Sequence, residues 1–327
     1  MKLLVAAAVL VAASISPMST PIAPARAAPE PAGSTTGTPS GCARPDARIR
    51  PGAHGARERN ELTPAEAVDV ERELNGLLAA LGTKAPAAGA SGAKASGTGQ
   101  QRRQASIRRW IPVYFHVLHD GSRGNLPTAL IKRQIATMNA AYGGGLGGAD
   151  TGFRFALRRI TRSDNADWYR YPETYENTYK PRLRRGGPGT LNLYSADLGD
   201  ELLGWSTFPW LYKNEPKLDG VVLHIGSMPG GSIDNFNRGF SGVHETGHWL
   251  GLYHVFQDGC ASPGDRVPDT PPARESTDGC PDGKDTCAAA GRDPVHNFMD
   301  YSFDACMNNF TAGQGVRMHK VWSAYRG

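Results

Sequence analysis

Three histidines, a glutamate and two glycines fall in the stretch His-Glu-Thr-Gly-His-Trp-Leu-Gly-Leu-Tyr-His at residues 244–254. On a helix, four residues turn the chain by about 400°, so His244 and His248 face one way, about 6 Å apart along the axis. Two imidazoles so placed suit one zinc ion. Glu245 flanks the same face and can deprotonate water without itself ligating the metal. His254 would sit about 9 Å beyond His248 on an unbroken helix and could not reach the same ion. The helix must therefore turn, and Gly251 is where a positive φ costs least. Three histidines leave a fourth coordination position open. The chemistry this pattern serves is metal-assisted hydrolysis, whereas solvated surface residues would need no such spacing.

The elements that must position these residues can be read around them. Ile111, Val113, Phe115 and Val117 alternate as in a strand. A helix is expected over 128–142, from Leu130, Ile131, Ile135 and Met138, and Gly143-Gly144-Gly145 ends it. Further strands are expected at Phe153 to Ile160, Leu191 to Tyr194 and Val221 to Ile225. Leu203 to Phe208 reads as an edge strand stopped by Pro209. The histidine segment lies on a helix over 240–252, a Gly/Pro/Asp-rich loop runs to about 296, and a last helix covers about 311–325. Such a mixture fits one mixed α/β domain over 106–327.

Upstream the texture differs. Lys2 and the apolar run Leu3 to Ile15, with Ala25-Arg26-Ala27 behind, read as a signal peptide over 1–27. The apolar run is too short to span a bilayer, so an exported, extracellular product with no membrane partner is expected. Residues 28–105 read as a pro-segment. Within it Thr63-Pro64-Ala65-Glu66 opens a short amphipathic helix at about 64–81. An Ala/Gly/Ser-rich linker follows, ending at Arg102-Arg103, an accessible place for a proteolytic nick. The net charge of +5 is spread over separate Arg-rich stretches without a basic, aromatic-laced face, which argues against a nucleic-acid partner. Of the five cysteines, Cys260, Cys280, Cys287 and Cys306 cluster late. An oxidising destination favours two disulfides among them, and spacing leaves the three possible pairings open. Cys42 stands apart.

The histidine pattern resembles that of the metzincin peptidases, which carry a downstream turn with a methionine beneath the zinc. Asn297-Phe298-Met299-Asp300-Tyr301 is the candidate here. Gly239-Phe240-Ser241-Gly242, His254-Val255-Phe256-Gln257, Asp269-Thr270-Pro271 and His296 to Tyr301 look like the pappalysin family. That resemblance is specific over about 204–306. It implies an α+β fold: a twisted mixed sheet, a backing helix and an active-site helix, then an irregular lower subdomain with a C-terminal helix. It implies that His244, His248 and His254 hold zinc, that Glu245 is general base and then proton donor, and that Met299 underlies the site. Tyr301 would stabilise the oxyanion, although a buried tyrosine with a satisfied hydroxyl is the commoner case.

Further expectations follow from the same likeness. Leu203 to Phe208 would pair with an extended protein or peptide substrate. Asp304 would lie at the base of the pocket for the residue after the scissile bond, implying cleavage before Arg or Lys. An Asp in a solvent-facing turn is the alternative. Asp265 and Thr270 would hold a structural calcium, although Asp in such loops is more often turn-forming. The family pattern pairs Cys260 with Cys287 and Cys280 with Cys306. Gly41-Cys42-Ala43-Arg44-Pro45-Asp46 resembles the cysteine switch of matrixin pro-segments, in which a thiolate takes the fourth zinc position. Ala43-Arg44 departs from the matrixin pattern. A secreted zinc endopeptidase made as a zymogen is therefore expected. Two rivals are a non-catalytic binding protein on the same fold and a zinc hydrolase of small or cell-wall amides. No oligomer signal is present.

Overall fold

The structure, a computed structural model, describes residues 46–49, 62–84 and 108–327. Contacts divide the chain after Cys42, and all described residues belong to the second part, Ala43–Gly327. The segment expected to be a signal peptide (1–27), Cys42 and Arg102-Arg103 lie outside the described residues.

Six strands pair among the described residues, in the order β1-β5-β6-β4-β2-β3. They are β1 (Asp46–Ile49), β2 (Arg109–His119), β3 (Phe153–Asp164), β4 (Leu191–Ala196), β5 (Leu202–Ser206) and β6 (Val221–His224). The run from β3 through β2 and β4 to β6 is parallel, whereas β5 is antiparallel to both β6 and β1. Parallel strands need crossovers, and the helix α2 (Thr128–Tyr142) supplies the one between β2 and β3. Every residue of β4 and β6 is buried, as expected of strands covered on both faces. β3 ends the sheet, and Arg158 and Arg159 are exposed there, where charge discourages edge-to-edge pairing.

The remaining helices are α1 (Pro64–Lys84), α3 (Ala166–Arg170), α4 (Glu176–Leu183), α5 (Phe240–Trp249) and α6 (Ala312–Tyr325). α3 and α4 were not anticipated. α3 is very short, and α4 is polar and contains Pro181, so neither shows an apolar stripe. α5 is buried along its whole length. α2 backs it: the Tyr142 hydroxyl donates to Val243 O at 2.9 Å and Gln134 Nε2 to Gly239 O at 2.8 Å. Thr311 and Gln314 form a capping box that starts α6. The main core joins β2, β3, β4 and β6 to α2, α5 and Phe298–Met299.

The sheet departs from the sequence reading at β5. β5 stops at Ser206, because Phe208 turns away to join Trp210 and Tyr253 in a separate cluster. Nor is β5 the edge of the sheet, since β1 covers it. The segment from 250 to 310 is irregular and crossed by the disulfides Cys260–Cys287 and Cys280–Cys306. No described helix is long and apolar enough to cross a membrane.

Candidate metal centre

α5 ends at Trp249, three residues short of the expected boundary. Gly251 follows with φ of +92°, and a Cβ there would collide with Val321. Leu252 N donates back to Gly247 O at 3.0 Å, closing the turn. The chain is thereby reversed, and His254 returns to the face of the helix that carries His244 and His248.

The three Nε2 atoms converge. His248 lies 3.0 Å from His244 and 3.0 Å from His254, and His244 lies 3.3 Å from His254. Four ligands at zinc–nitrogen distances of about 2.0–2.1 Å would stand about 3.3 Å apart in a tetrahedron. The other ring nitrogens fix the tautomers. His244 Nδ1 donates to Phe298 O at 2.7 Å, and His248 Nδ1 donates to Leu252 O at 2.8 Å. A carbonyl only accepts, so Nδ1 carries the proton and Nε2 presents its lone pair to the centre. Lone pairs facing one another at these distances repel unless a cation lies among them. The donor set therefore fits a zinc ion. Among the described residues this is the one group of three or more His, Cys, Asp and Glu side chains arranged to hold a metal.

Glu245 is buried beside this centre, against β5. A Cβ on Gly204 would lie 2.9 Å from Glu245 Cγ and 3.3 Å from its Oε1, so the missing side chain at 204 makes room for the carboxylate. Sequence reasoning missed Gly204, because no local pattern marks a contact made across the fold. The charge is felt at the Tyr142 phenol, which burial, with Glu245 second, pushes well above its ordinary range. Tyr301 is also at the centre, its hydroxyl 3.3 Å from His254 Nε2. Its ring packs edge-on to His254 and Phe256, both at 5.1 Å.

Met299 lies directly below. A Cβ at Gly247 would strike its Sδ, so the helix is notched where the methionine fits. Asn297 shapes that turn: its Oδ1 accepts from Met299 N at 3.0 Å, and its amide pairs reciprocally with Gln314 at 2.9 Å. Asp300 Oδ1 accepts from Tyr301 N at 2.8 Å and from Thr277 N at 2.9 Å. Burial pushes the Asp300 carboxyl up, against those hydrogen bonds.

Asp304 is 1% exposed, which removes the solvent-facing alternative. Its Oδ2 accepts from Arg238 N at 2.8 Å, and its own N–H donates to Asn235 O at 2.8 Å. Asp265 and Thr270 are brought together: Thr270 Oγ1 lies 2.8 and 2.7 Å from the two carboxylate oxygens and 2.7 Å from Val267 O. Burial raises Asp265 to about 7. A cavity of about 670 Å³ opens beside Phe256, between Leu62–Pro64 at the start of α1 and the loops 257–259 and 274–276. Phe256 also stacks on His254 at 4.7 Å, so that cavity adjoins the metal centre.

β1 crosses the same region. Its register sets Arg48 opposite Gly204, the residue against which Glu245 packs, and Asp46 opposite Ser206.

Residues 222–323 match the sequence model of the peptidase family described as pregnancy-associated plasma protein-A. An extracellular metalloprotease of Uncinocarpus reesii is 43% identical over 223 residues, which are 66% of this chain and 77% of that protein. One from Arthroderma benhamiae is 41% identical over 224 residues, 66% of this chain and 73% of the relative. Among solved structures, mirolysin in complex with a compound superposes with a TM-score of 0.61 at 29% identity, covering 68% of this chain and 94% of that one. Mature mirolysin of Tannerella forsythia, in complex with a cleaved peptide, gives a TM-score of 0.58 at 27% identity over 68% and 97%.

Proposed function

The chain belongs to the pappalysin family of metallopeptidases and is a zinc metalloendopeptidase, and from that premise we propose that it is secreted, made as a zymogen, and cleaves polypeptides before Arg or Lys. The observation that carries the catalytic reading is the convergence of three imidazole Nε2 atoms at 3.0–3.3 Å. His244, His248 and His254 hold the metal. A zinc ion held there would supply Lewis acidity toward water and the scissile carbonyl. Glu245 takes the proton from the attacking water and returns it to the leaving amine. Its packing on Gly204 aims the carboxylate at the strand beside which a substrate lies. The Tyr301 hydroxyl donates to the oxyanion as charge develops there. β5 presents free backbone groups to an extended substrate once β1 is gone.

The finer parts of the reading rest on separate observations. Residues 1–27 act as the signal peptide, 28–105 as the pro-segment and 106–327 as the catalytic domain. The pairing of β1 with β5 supports the zymogen, because it fills the place of a substrate strand. Cys42 as a zinc-blocking thiolate remains part of the same proposal. The burial of Asp304 supports the basic preference, since a carboxylate inside a pocket favours a cationic side chain. The oxygen cluster of Asp265, Thr270 and Val267 supports a structural calcium. A melting temperature of zinc-loaded protein that ignores added calcium would remove that site.

A casein gel tests the core. Wild type should clear it and Glu245→Ala should not, while both hold one zinc. Equal clearing would sink the assignment of Glu245. No clearing by activated wild type would sink the endopeptidase reading.

A further inference from the structure

The face of the catalytic domain that receives α1 is continuous with the metal centre. Ala67 and Leu74 of α1 are buried. Ala67 packs with Phe208 and Tyr253, and Phe208 lies edge-on to His248 at 5.4 Å. Glu71 is the polar centre of the contact. Its Oε1 accepts from Arg317 Nη2 at 2.6 Å and from the Tyr253 hydroxyl at 3.2 Å. Arg317 is buried, sits 4.4 Å above the Tyr253 ring, and donates from Nε to Gly251 O at 2.9 Å. Gly251 is the turn that brings His254 to the metal. Gln257 Nε2 adds a bond to Leu62 O at 3.2 Å. Upstream on the same segment, β1 covers β5.

We propose that Phe208, Tyr253, Gln257 and Arg317 form a docking site for an acidic amphipathic helix, filled by α1, which retains the pro-segment after the linker between 85 and 107 is cut. Activation then takes two events, cleavage and helix release. This rests on the zymogen reading given above. While the linker is intact, α1 faces its site at an effective concentration on the order of millimolar, so even weak docking is saturated. After the cut, intrinsic affinity decides. That affinity centres on an ion pair whose arginine is buried and whose glutamate is partly buried, and deleting Glu71 leaves the Arg317 charge without its carboxylate. A retained α1 holds β1 on β5 and keeps substrate off the strand beside Glu245.

The test uses the full chain with a site-specific protease sequence placed within 88–94. After cutting, the two pieces of wild type should co-elute at micromolar concentration, and hydrolysis of a fluorogenic peptide should stay low. Dilution to nanomolar should release the activity. Glu71→Ala, cut in the same way, should shed the fragment at micromolar concentration. Its fragment Kd should rise about 10²-fold or more, and its activity at least tenfold above cut wild type. Ala67→Glu, which inserts a charge into the apolar part of the contact, should do the same without touching Arg317. Separation of the wild-type fragment as readily as those of both variants would overturn the proposal. Full activity in the uncut chain would instead overturn the zymogen reading, while co-elution would still decide whether the docking site exists.

Discussion

Gly204→Ala should disable the base while leaving the metal in place. The added Cβ would lie 2.9 Å from Val222 O and 2.9 Å from Glu245 Cγ. Carbon contacts are comfortable at about 3.5–4.0 Å, so something must move by about 0.5–1 Å. Val222 O belongs to the β5–β6 ladder, where Trp205 faces Val222 and Gly204 faces Leu223, and is poorly placed to yield. The glutamate is the softer partner. A misplacement of about 1 Å at a reacting group costs on the order of 10²-fold in rate, or about 2.7 kcal/mol of barrier. Overpacking should lower stability by about 1–3 kcal/mol. The histidine nitrogens are untouched, so zinc content should stay at wild type. The assay is kcat/KM on an internally quenched peptide after the same activation treatment, with metal analysis and a melting curve on the same sample. A folded, zinc-loaded variant within about twofold of wild type would refute the claim that the carboxylate is seated on Gly204.

Other outcomes follow from single contacts. Tyr301→Phe should lower kcat by about 10²-fold with KM and zinc content little changed, as for a donor felt only by the developing oxyanion; an unaltered kcat would remove that role. Asp304→Asn keeps an acceptor for Arg238 N but loses the charge, and should abolish selection for Arg after the scissile bond in a peptide-library digest; an intact preference would dismiss the pocket assignment. His116 gives a pH signature. Burial lowers its pKa from 6.5 to about 4, and the ring bonds Thr161 Oγ1 at 2.7 Å and Asn192 Oδ1 at 3.1 Å. Between those values the unfolded chain binds the proton and the folded one does not. Its contribution, about 3 kcal/mol, is therefore complete above pH 6.5 and lost as pH falls towards 4. Denaturant titrations at pH 7 and 4.5 should show a smaller acid loss in His116→Gln than in wild type, and equal losses would contradict the assignment.

What the sequence makes legible is what is local. His244, His248 and Gly251 obey helical geometry over a few residues, and the core strands and α2 announce themselves by alternation or by apolar spacing. The end of α5 was less clear, because Leu250 and Leu252 continue the apolar character past the break while the backbone departs at Gly251. Gly204 and Glu245 meet only once β5 is folded onto α5. Glu71 and Arg317 stand 246 residues apart, and nothing in the amphipathic pattern of α1 marks Glu71 as different from its exposed neighbours. β1 is too short to display a period, so its seat on β5 emerges only from the pairing.

The hydrogen bonds that set the two imidazole tautomers end on Phe298 O and Leu252 O, which are main-chain atoms. A backbone carbonyl is present whatever residue is encoded there. Point substitutions around the turn that holds Met299, Tyr301 and Asp304 can therefore alter the shape and charge proposed to face substrates without removing these acceptors. Metal reactivity is to that extent insulated from genetic drift, while the neighbouring surface proposed for recognition stays free to diversify. Lineages sharing this arrangement would be expected to change their diet of peptide bonds more readily than their hydrolytic chemistry.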